Sequence, residues 1–571
     1  MSKAMTEKTV SRIIAIGLGV TTVAVFTQSV TDPVNVTKLF LLGGFAFAAF
    51  GASARLMNKV FINKFKLSLI LVGLFLLASL SALVASSSPL SQSFYGAYGR
   101  NNGFLLYLLL SLTLIATLTI ESEFGFRILL GSLLFAGTVN VFYALWVLAF
   151  GDFIGWNNPY GNLLGTLGNP NFIGSFFGMF SAFLFAFLIA PKSSKRIRIS
   201  ALIMIPLVFL GIIQSHAVQG KVLFVTAFAI ASIFLVRNQF KSVLASITYI
   251  LFLGFGFVLA LLGTLQKGPF ADILYKDTVS LRGQYWYAGW KTGLANPFFG
   301  AGFDSFGDWY RRSRRESALT FPGVDTITNA SHNVYLDMFA FGGWPLLVCY
   351  LLIIVAVMAS IVKYYLRNRA YNPIFVSFSG VWLCYQLQST ISINQIGLAI
   401  WGWVFGAAII AYEKFDRLKV TGIETGTKPV GREAKKISKT SNQLIVSAGL
   451  VAGLASIVGL IIAAPPLSAD MKWRKAQTSQ NAKLFEEALQ PSFMNPMNSF
   501  KINNIVGLFE TSGLTDLAHT YGLKATEFNK DSFEAWRNLS QLSKTTDAER
   551  QEAFANMKRL DPRNTTIGAA K

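Results

Sequence analysis

Residues 264–333 hold five arginines, Arg282, Arg311, Arg312, Arg314 and Arg315, with Trp286, Trp290, Trp309 and Tyr310 interleaved. A planar guanidinium donates paired hydrogen bonds to phosphate oxygens, so such a cluster suits a phosphorylated ligand. The aromatic residues suit sugar faces. Arginine and tryptophan also anchor helices at a bilayer interface, and residue type alone leaves both readings open. Three shorter segments, 86–103, 151–171 and 215–221, are rich in Gly, Asn, Pro and aromatics. Gly and Pro there permit tight turns and close approach of a ligand to backbone. The three histidines, His216, His332 and His519, are scattered. The sequence has no Cys/His cluster, phosphate-binding glycine loop or paired acidic motif, so neither a metal nor another cofactor is expected.

The elements that must position these residues are membrane spans. Of 571 residues, 53% are hydrophobic and 14% charged, and mean hydropathy is +0.49, where soluble proteins carry about a quarter charged residues. Runs such as 66–85 and 443–464 are nearly free of charge and match the roughly 20 residues a helix needs to cross a bilayer. The class expected is all-α, a polytopic helical membrane protein. About thirteen spans are expected, at 12–30, 37–54, 66–85, 103–120, 127–150, 170–190, 198–214, 220–236, 242–263, 334–361, 374–389, 394–412 and 443–464.

Basic residues sort onto alternate loops: Lys3, Lys8 and Arg12; Arg55 to Lys66; Lys192 to Arg198; Lys363 to Arg369; and Lys414 to Lys439. The positive-inside rule makes those loops and the N-terminus cytoplasmic, and it accounts for much of the net charge of +22 without nucleic acid. The segment 264–333 then becomes a long extracytoplasmic loop, 413–442 a cytoplasmic linker, and 465–571 an extracytoplasmic soluble domain. Within that last segment Asn495-Pro496, Asn529-Lys530 and Asp561-Pro562 recur at spacings of 34 and 32, and the pattern predicts tetratricopeptide-like helical hairpins over a plain bundle. Stacked hairpins commonly present a peptide-binding surface, which suggests a protein partner. Cys349 and Cys384 fall inside predicted spans and read as packing residues, and His519 as incidental.

Two long-loop motifs carry a resemblance. One is Arg282-Gly-Gln-Tyr-Trp286 followed by Asn296-Pro297-Phe-Phe-Gly300-Ala-Gly302; the other is Ser331-His332-Asn333-Val-Tyr-Leu336 leading into Gly342-Gly343-Trp-Pro-Leu346. With Gly168-Asn169-Pro170-Asn171, Tyr98-Gly99-Arg100-Asn101-Asn102-Gly103 and the stretch from Ile391 to Trp403, these resemble the O-antigen ligase, O-antigen polymerase and bacterial O-oligosaccharyltransferase superfamily over most of residues 30–415.

The resemblance implies a metal-independent, inverting glycosyltransferase of the bacterial cytoplasmic (inner) membrane. Such enzymes move a glycan from undecaprenyl diphosphate to a glycan, lipid or protein acceptor. The family's loop Arg and the His of its H-N motif map to Arg282 and His332, as the catalytic pair. Arg100, Asn169, Trp286 and Asn333 follow as substrate-binding positions. An Arg that family ligases carry near span eight is absent from Ser215-His216-Ala-Val-Gln-Gly-Lys221, where His216 or Lys221 would substitute. Fixed guanidinium donors can hold a departing diphosphate, and a histidine titrating near neutrality can take the acceptor's proton. The rival class is a membrane transporter or channel for a lipid-linked or anionic substrate. The scarcity of ionisable residues in the spans, and the absence of an inverted repeat, speak against it.

Overall fold

The computed structural model describes residues 3–156, 158, 161–275, 277–420 and 447–568. Among them the chain is all-helical, with no strand and one isolated bridge between Ser492 and Asn495. Ten helices are long and apolar enough, by length and composition, to cross a membrane. The three further expected spans fall on Lys3–Val23, which opens with Lys3, Glu7, Lys8 and Arg12, and on Phe104–Leu118 and Pro373–Ser389, of 15 and 17 residues. The chain is a polytopic helical membrane protein. Helix Ile396–Val420 is enclosed at its centre, while Val243–Thr264 is almost wholly exposed on its flank.

Side-chain caps set many helix starts. Asn58, Asn169, Asn333 and Asn372 each accept from backbone N–H groups of the first turn, so an Asn there fixes where a span begins. Chain direction alternates between two faces. Lys3 and Lys64 meet Glu121 on one face, at 2.8 and 2.9 Å. Thr31, Tyr98 and Asp470 meet on the other.

The first helix ends at Val23, short of the expected 30, because of a buried cation. Lys38 is wholly buried, and its Nζ donates to the carbonyls of Thr21, Thr22 and Ala24 at 2.9, 2.6 and 3.0 Å. It thereby satisfies the orphan carbonyls of that helix's last turn. The last span also differs from expectation. Ala448–Ser479 runs unbroken through Pro465 and Pro466, beyond the boundary expected at 465. It crosses Asn35–Ser53 so closely that a Cβ at Gly43 would lie 2.5 Å from that of Ala463. This small-residue contact supports the helix where proline removes a hydrogen bond. Residues 413–420 of the expected linker continue helix Ile396–Val420, where Arg367 reaches Glu413 and Asp416 at 2.6 and 3.0 Å. Residues 421–446 lie outside the described residues.

Beyond Ser479, helices Ala482–Leu489, Ser499–Thr511, Thr515–Phe528, Phe533–Gln541 and Asp547–Leu560 share a separate apolar core that includes Trp473, Ile505, Phe509, Trp536 and Leu560. This unit packs on the long loop, and the contact overturns one expectation. Arg311, Arg312 and Arg314, read above as suited to a phosphorylated ligand or to interface anchoring, are engaged by carboxylates of the chain itself. Arg311 and Arg314 are buried, and each donates to the Val324 carbonyl, at 2.9 and 2.8 Å. Arg314 reaches Asp561 at 2.5 Å, Arg311 reaches Glu534 at 3.2 Å, and Arg312 reaches Asp531 at 2.9 Å. The guanidinium of Arg315 lies 4.2 Å from the Tyr287 ring centroid. Guanidiniums tolerate burial when paired, and these carboxylates lie more than two hundred residues along the chain.

Candidate active site

Helix Asp277–Ala295 carries Arg282, Tyr285, Trp286, Gly289 and Gly293 at helical spacing, so they share one face. That face lies against Ser331, His332 and the helix Val334–Arg367. A Cβ at Gly289 would lie 2.8 Å from Ser331 Cβ, and one at Gly293 would lie 2.2 Å from Phe339 Cδ1. Trp286 Nε1 donates to the His332 carbonyl at 3.4 Å, and the Tyr285 ring centroid is 5.3 Å from that of His332.

His332 sits in a turn built to hold it. Its φ is +56°, in the left-handed region disfavoured for a side-chain-bearing residue. On one side, Asp337 Oδ1 accepts from the Ser331 N–H at 2.8 Å and from its hydroxyl at 2.6 Å. On the other, Asn333 Oδ1 accepts from the Tyr335 and Leu336 N–H groups at 3.0 and 3.1 Å. His332 Nδ1 lies 3.2 Å from the Ala330 carbonyl, which can only accept; Nδ1 therefore carries the proton, and Nε2 is the basic nitrogen. Burial, then the charges of Arg100 and Arg282, push the imidazole down to about 4, against the opposing bond to Ala330. At neutral pH the ring is an uncharged base.

Arg100 reaches the same cluster from the segment before helix Phe104–Leu118. Asp304 Oδ2 accepts from the N–H groups of Ala97 and Asn102, at 2.8 and 3.2 Å, and so closes the turn that holds Arg100. Asn102 Nδ2 donates to the Asn394 carbonyl at 2.9 Å, tying in the Ile391–Gln395 motif. Burial lowers the pKa of Arg100, with Asp304 and Asp337 opposing, and burial lowers that of Arg282. Both guanidiniums remain protonated. Among the described residues neither has an ion-pair or side-chain hydrogen-bond partner, and Arg100 Nη1 is buried unpartnered. Asp304, also buried, takes a pKa above the usual carboxylate range, through burial first.

The two glycine-rich motifs interlock beneath this cluster. Helix Val334–Arg367 breaks at Gly342 and Gly343. The carbonyls of Ala340 and Phe341 accept from the N–H groups of Ala301 and Gly302 at 2.7 and 3.1 Å, and Trp344 N–H donates to Pro297 at 2.8 Å. Gly343 has φ +63°, and a Cβ there would lie 2.3 Å from the Pro297 carbonyl oxygen, so only glycine fits.

Arg282, His332, Arg100, Trp286 and Asn333 are thus brought together. Asn169, His216 and Lys221 lie on the same face in a second group. Asn169 caps Pro170–Leu188, Leu163 N–H donates to the Gln214 carbonyl at 3.1 Å, and Gln219 Nε2 donates to Ser175 Oγ at 2.8 Å. His216 and Lys221 are exposed, and among the described residues their side chains make no hydrogen bond or ion pair. Among the described residues no hydrogen bond or ion pair joins this group to the first. Sequence reading missed Asp304 and Asp337, which lie just past the recognised motifs. Their only signal is an acid placed next to glycines or in the first turn of a span.

Residues 173–351 match the family model described as O-antigen ligase. The stretch includes Arg282 and His332 and ends before the C-terminal helices. No curated protein matches the chain.

Proposed function

We propose, from the likeness of residues 173–351 to the O-antigen ligase family and from the geometry of the site, that this chain transfers a glycan from an undecaprenyl-diphosphate carrier to the hydroxyl of a glycan, lipid or protein acceptor. The observation that carries the reading is a pair of guanidiniums that form no ion pair among the described residues, Arg100 and Arg282, beside the neutral imidazole of His332. Two half-buried guanidiniums that form no ion pair among the described residues can take an anion, and a diphosphate supplies one. His332 Nε2 takes the proton of the acceptor hydroxyl as its oxygen bonds to the sugar's C1. The bond from C1 to the diphosphate oxygen breaks, the pair of electrons stays on that oxygen, and Arg100 and Arg282 hold the departing charge. Attack opposite the leaving group inverts C1. The guanidiniums supply the charge a divalent metal supplies elsewhere, so the reading is metal-independent. Trp286 and Asn333 position His332, and His216 and Lys221 offer the carrier's phosphates a further cation.

In this reading the site faces the extracytoplasmic side of the bacterial inner membrane. The C-terminal unit, read as tetratricopeptide-like, shares that side, and the basic loops face the cytoplasm. The test uses purified protein in lipid, undecaprenyl-diphosphate-linked glycan as donor, and host envelope extract as acceptor pool. Release of undecaprenyl diphosphate by wild type, lost in His332→Ala and Arg282→Ala, is the expected result. Equal release by all three would sink the assignment.

A further inference from the structure

A cavity of about 450 Å³ opens between the long loop and the C-terminal helices, within the ~300–1,000 Å³ range of small-ligand sites. Asp304, which braces the Arg100 turn, lines it, so it adjoins the cluster of Arg100, Arg282 and His332. Carboxamides recur along its walls, among them Asn329 from the loop, and Asn498, Asn503 and Asn538 from the C-terminal unit. A carboxamide offers both donors and an acceptor, which matches neighbouring sugar hydroxyls. Asp304 and Asn503, which both line the cleft, each keep a side-chain oxygen buried without a hydrogen-bond partner.

Phe500 supplies an apolar plane. One face stacks on Tyr98, with centroids 4.8 Å apart and planes 8° off parallel, yet the residue is 50% exposed. The cavity's cations are already neutralised, since Arg311 and Arg537 both pair with Glu534. That contrasts with the unpaired guanidiniums next door and disfavours a phosphate. Sugar hydroxyls project in several directions and match donors and acceptors set around a cleft, whereas the N–H groups of an extended peptide point alternately to opposite sides.

We propose that this cleft binds uncharged sugar residues beside the transfer centre, holding either the distal sugars of the donor or the glycan of the acceptor. The inference rests on the transfer reading above, but it is read out by binding alone. Full-length protein in nanodiscs is titrated with two probes: the oligosaccharide freed from the host's lipid carrier by mild acid, and the oligosaccharide released from its surface glycoconjugates. Binding of the first identifies the donor's distal sugars as the occupant, and binding of the second identifies the acceptor. Asn503→Ala, Asn538→Ala and Phe500→Leu each weaken that binding about tenfold, while Lys524→Ala, at an exposed position outside the cleft, leaves it unchanged. The Leu variant keeps an apolar side chain in place and removes only the ring face. Binding of neither oligosaccharide, binding indifferent to all three cleft variants, or capture of the unglycosylated surface polypeptide instead would overturn the proposal. Saccharide binding that persists without any glycan transfer sinks the transfer reading and leaves the cleft standing; transfer without cleft-dependent binding does the reverse.

Discussion

Adding inorganic diphosphate to the protein should raise the pKa of His332. In the free protein the imidazole is pushed down to about 4, first by burial and then by Arg100 and Arg282. At pH 7 on the order of one ring in a thousand is therefore protonated. An opposite charge within reach moves a pKa by roughly one to three pH units toward the charged form. A diphosphate held by both guanidiniums cancels their repulsion and adds its own attraction, so the midpoint should rise to roughly 5–7. Arg282→Gln should act in the same direction and more weakly, because burial persists. The chain has three histidines, so imidazole-¹⁵N labelling gives three ring signals, and His216→Ala and His519→Ala assign the third by elimination. The catalytic consequence has a definite sign. His332 accepts a proton only when neutral, so activity falls as pH drops through its pKa. The acid limb of kcat/KM, a property of the free enzyme, should lie lower than that of kcat. A His332 signal already titrating near 6.5 in the free protein, or one indifferent to diphosphate, would refute the electrostatic argument.

Three further changes test the scaffold. Asp561→Ala strands the wholly buried Arg314 and should cost about 3–5 kcal/mol, seen as a lower unfolding midpoint and faster proteolysis beyond residue 480; adding Arg314→Met should recover most of it, and no recovery would show that the pair is not the cause. Gly302→Ala forces a side chain onto φ +99° with its Cβ 2.7 Å from Ser86 Oγ, about 1–3 kcal/mol of strain, and should abolish transfer, whereas Gly283→Ala, with open space around it, should not. Lys38→Met leaves the carbonyls of Thr21, Thr22 and Ala24 without their donor, about 1–3 kcal/mol per buried group, and should lower thermal stability in detergent; an unchanged midpoint would mean that water replaces the ammonium.

The helical class was legible because apolar runs near twenty residues have one physical meaning in a bilayer. Span ends were less so. Lys38 lies fourteen residues past Ala24, and nothing local marks it as the cap that stops the first helix. Pro465 and Pro466 read as a boundary by local rule, yet small-residue packing on Gly43 carries the helix through. At the site, Arg282 and His332 were reachable through motifs that recur as short strings. Asp304 and Asp337 act through a turn and a cap, which no string records. The loop arginines were misread for a related reason: their acids, Asp531, Glu534 and Asp561, are supplied by a different part of the chain.

The stretch matched to the ligase family holds Arg282 and His332 but not Arg100, so one of the two unpaired guanidiniums must be positioned by other parts of the chain. The turn carrying Arg100 is gripped from two sides. Asp304 of the long loop accepts from the N–H groups of Ala97 and Asn102. Tyr98 donates its hydroxyl to Asp470 Oδ1 at 2.9 Å, and the same carboxylate accepts from the N–H groups of Thr31 and Asp32 and lies 3.7 Å from Lys501. Burial and the Asp470 charge keep the Tyr98 phenol protonated, so it stays a donor. Phe500, the residue before Lys501, stacks on that phenol ring. The C-terminal helices therefore bear directly on the residue two positions before Arg100. Transition-state charge is best held by donors that need no reorganisation, and a turn fixed by both the loop and the C-terminal unit meets that condition. The C-terminal unit is thereby part of the candidate site's rigid frame, and its grip on Tyr98 ties it to the position of Arg100 whatever it also binds.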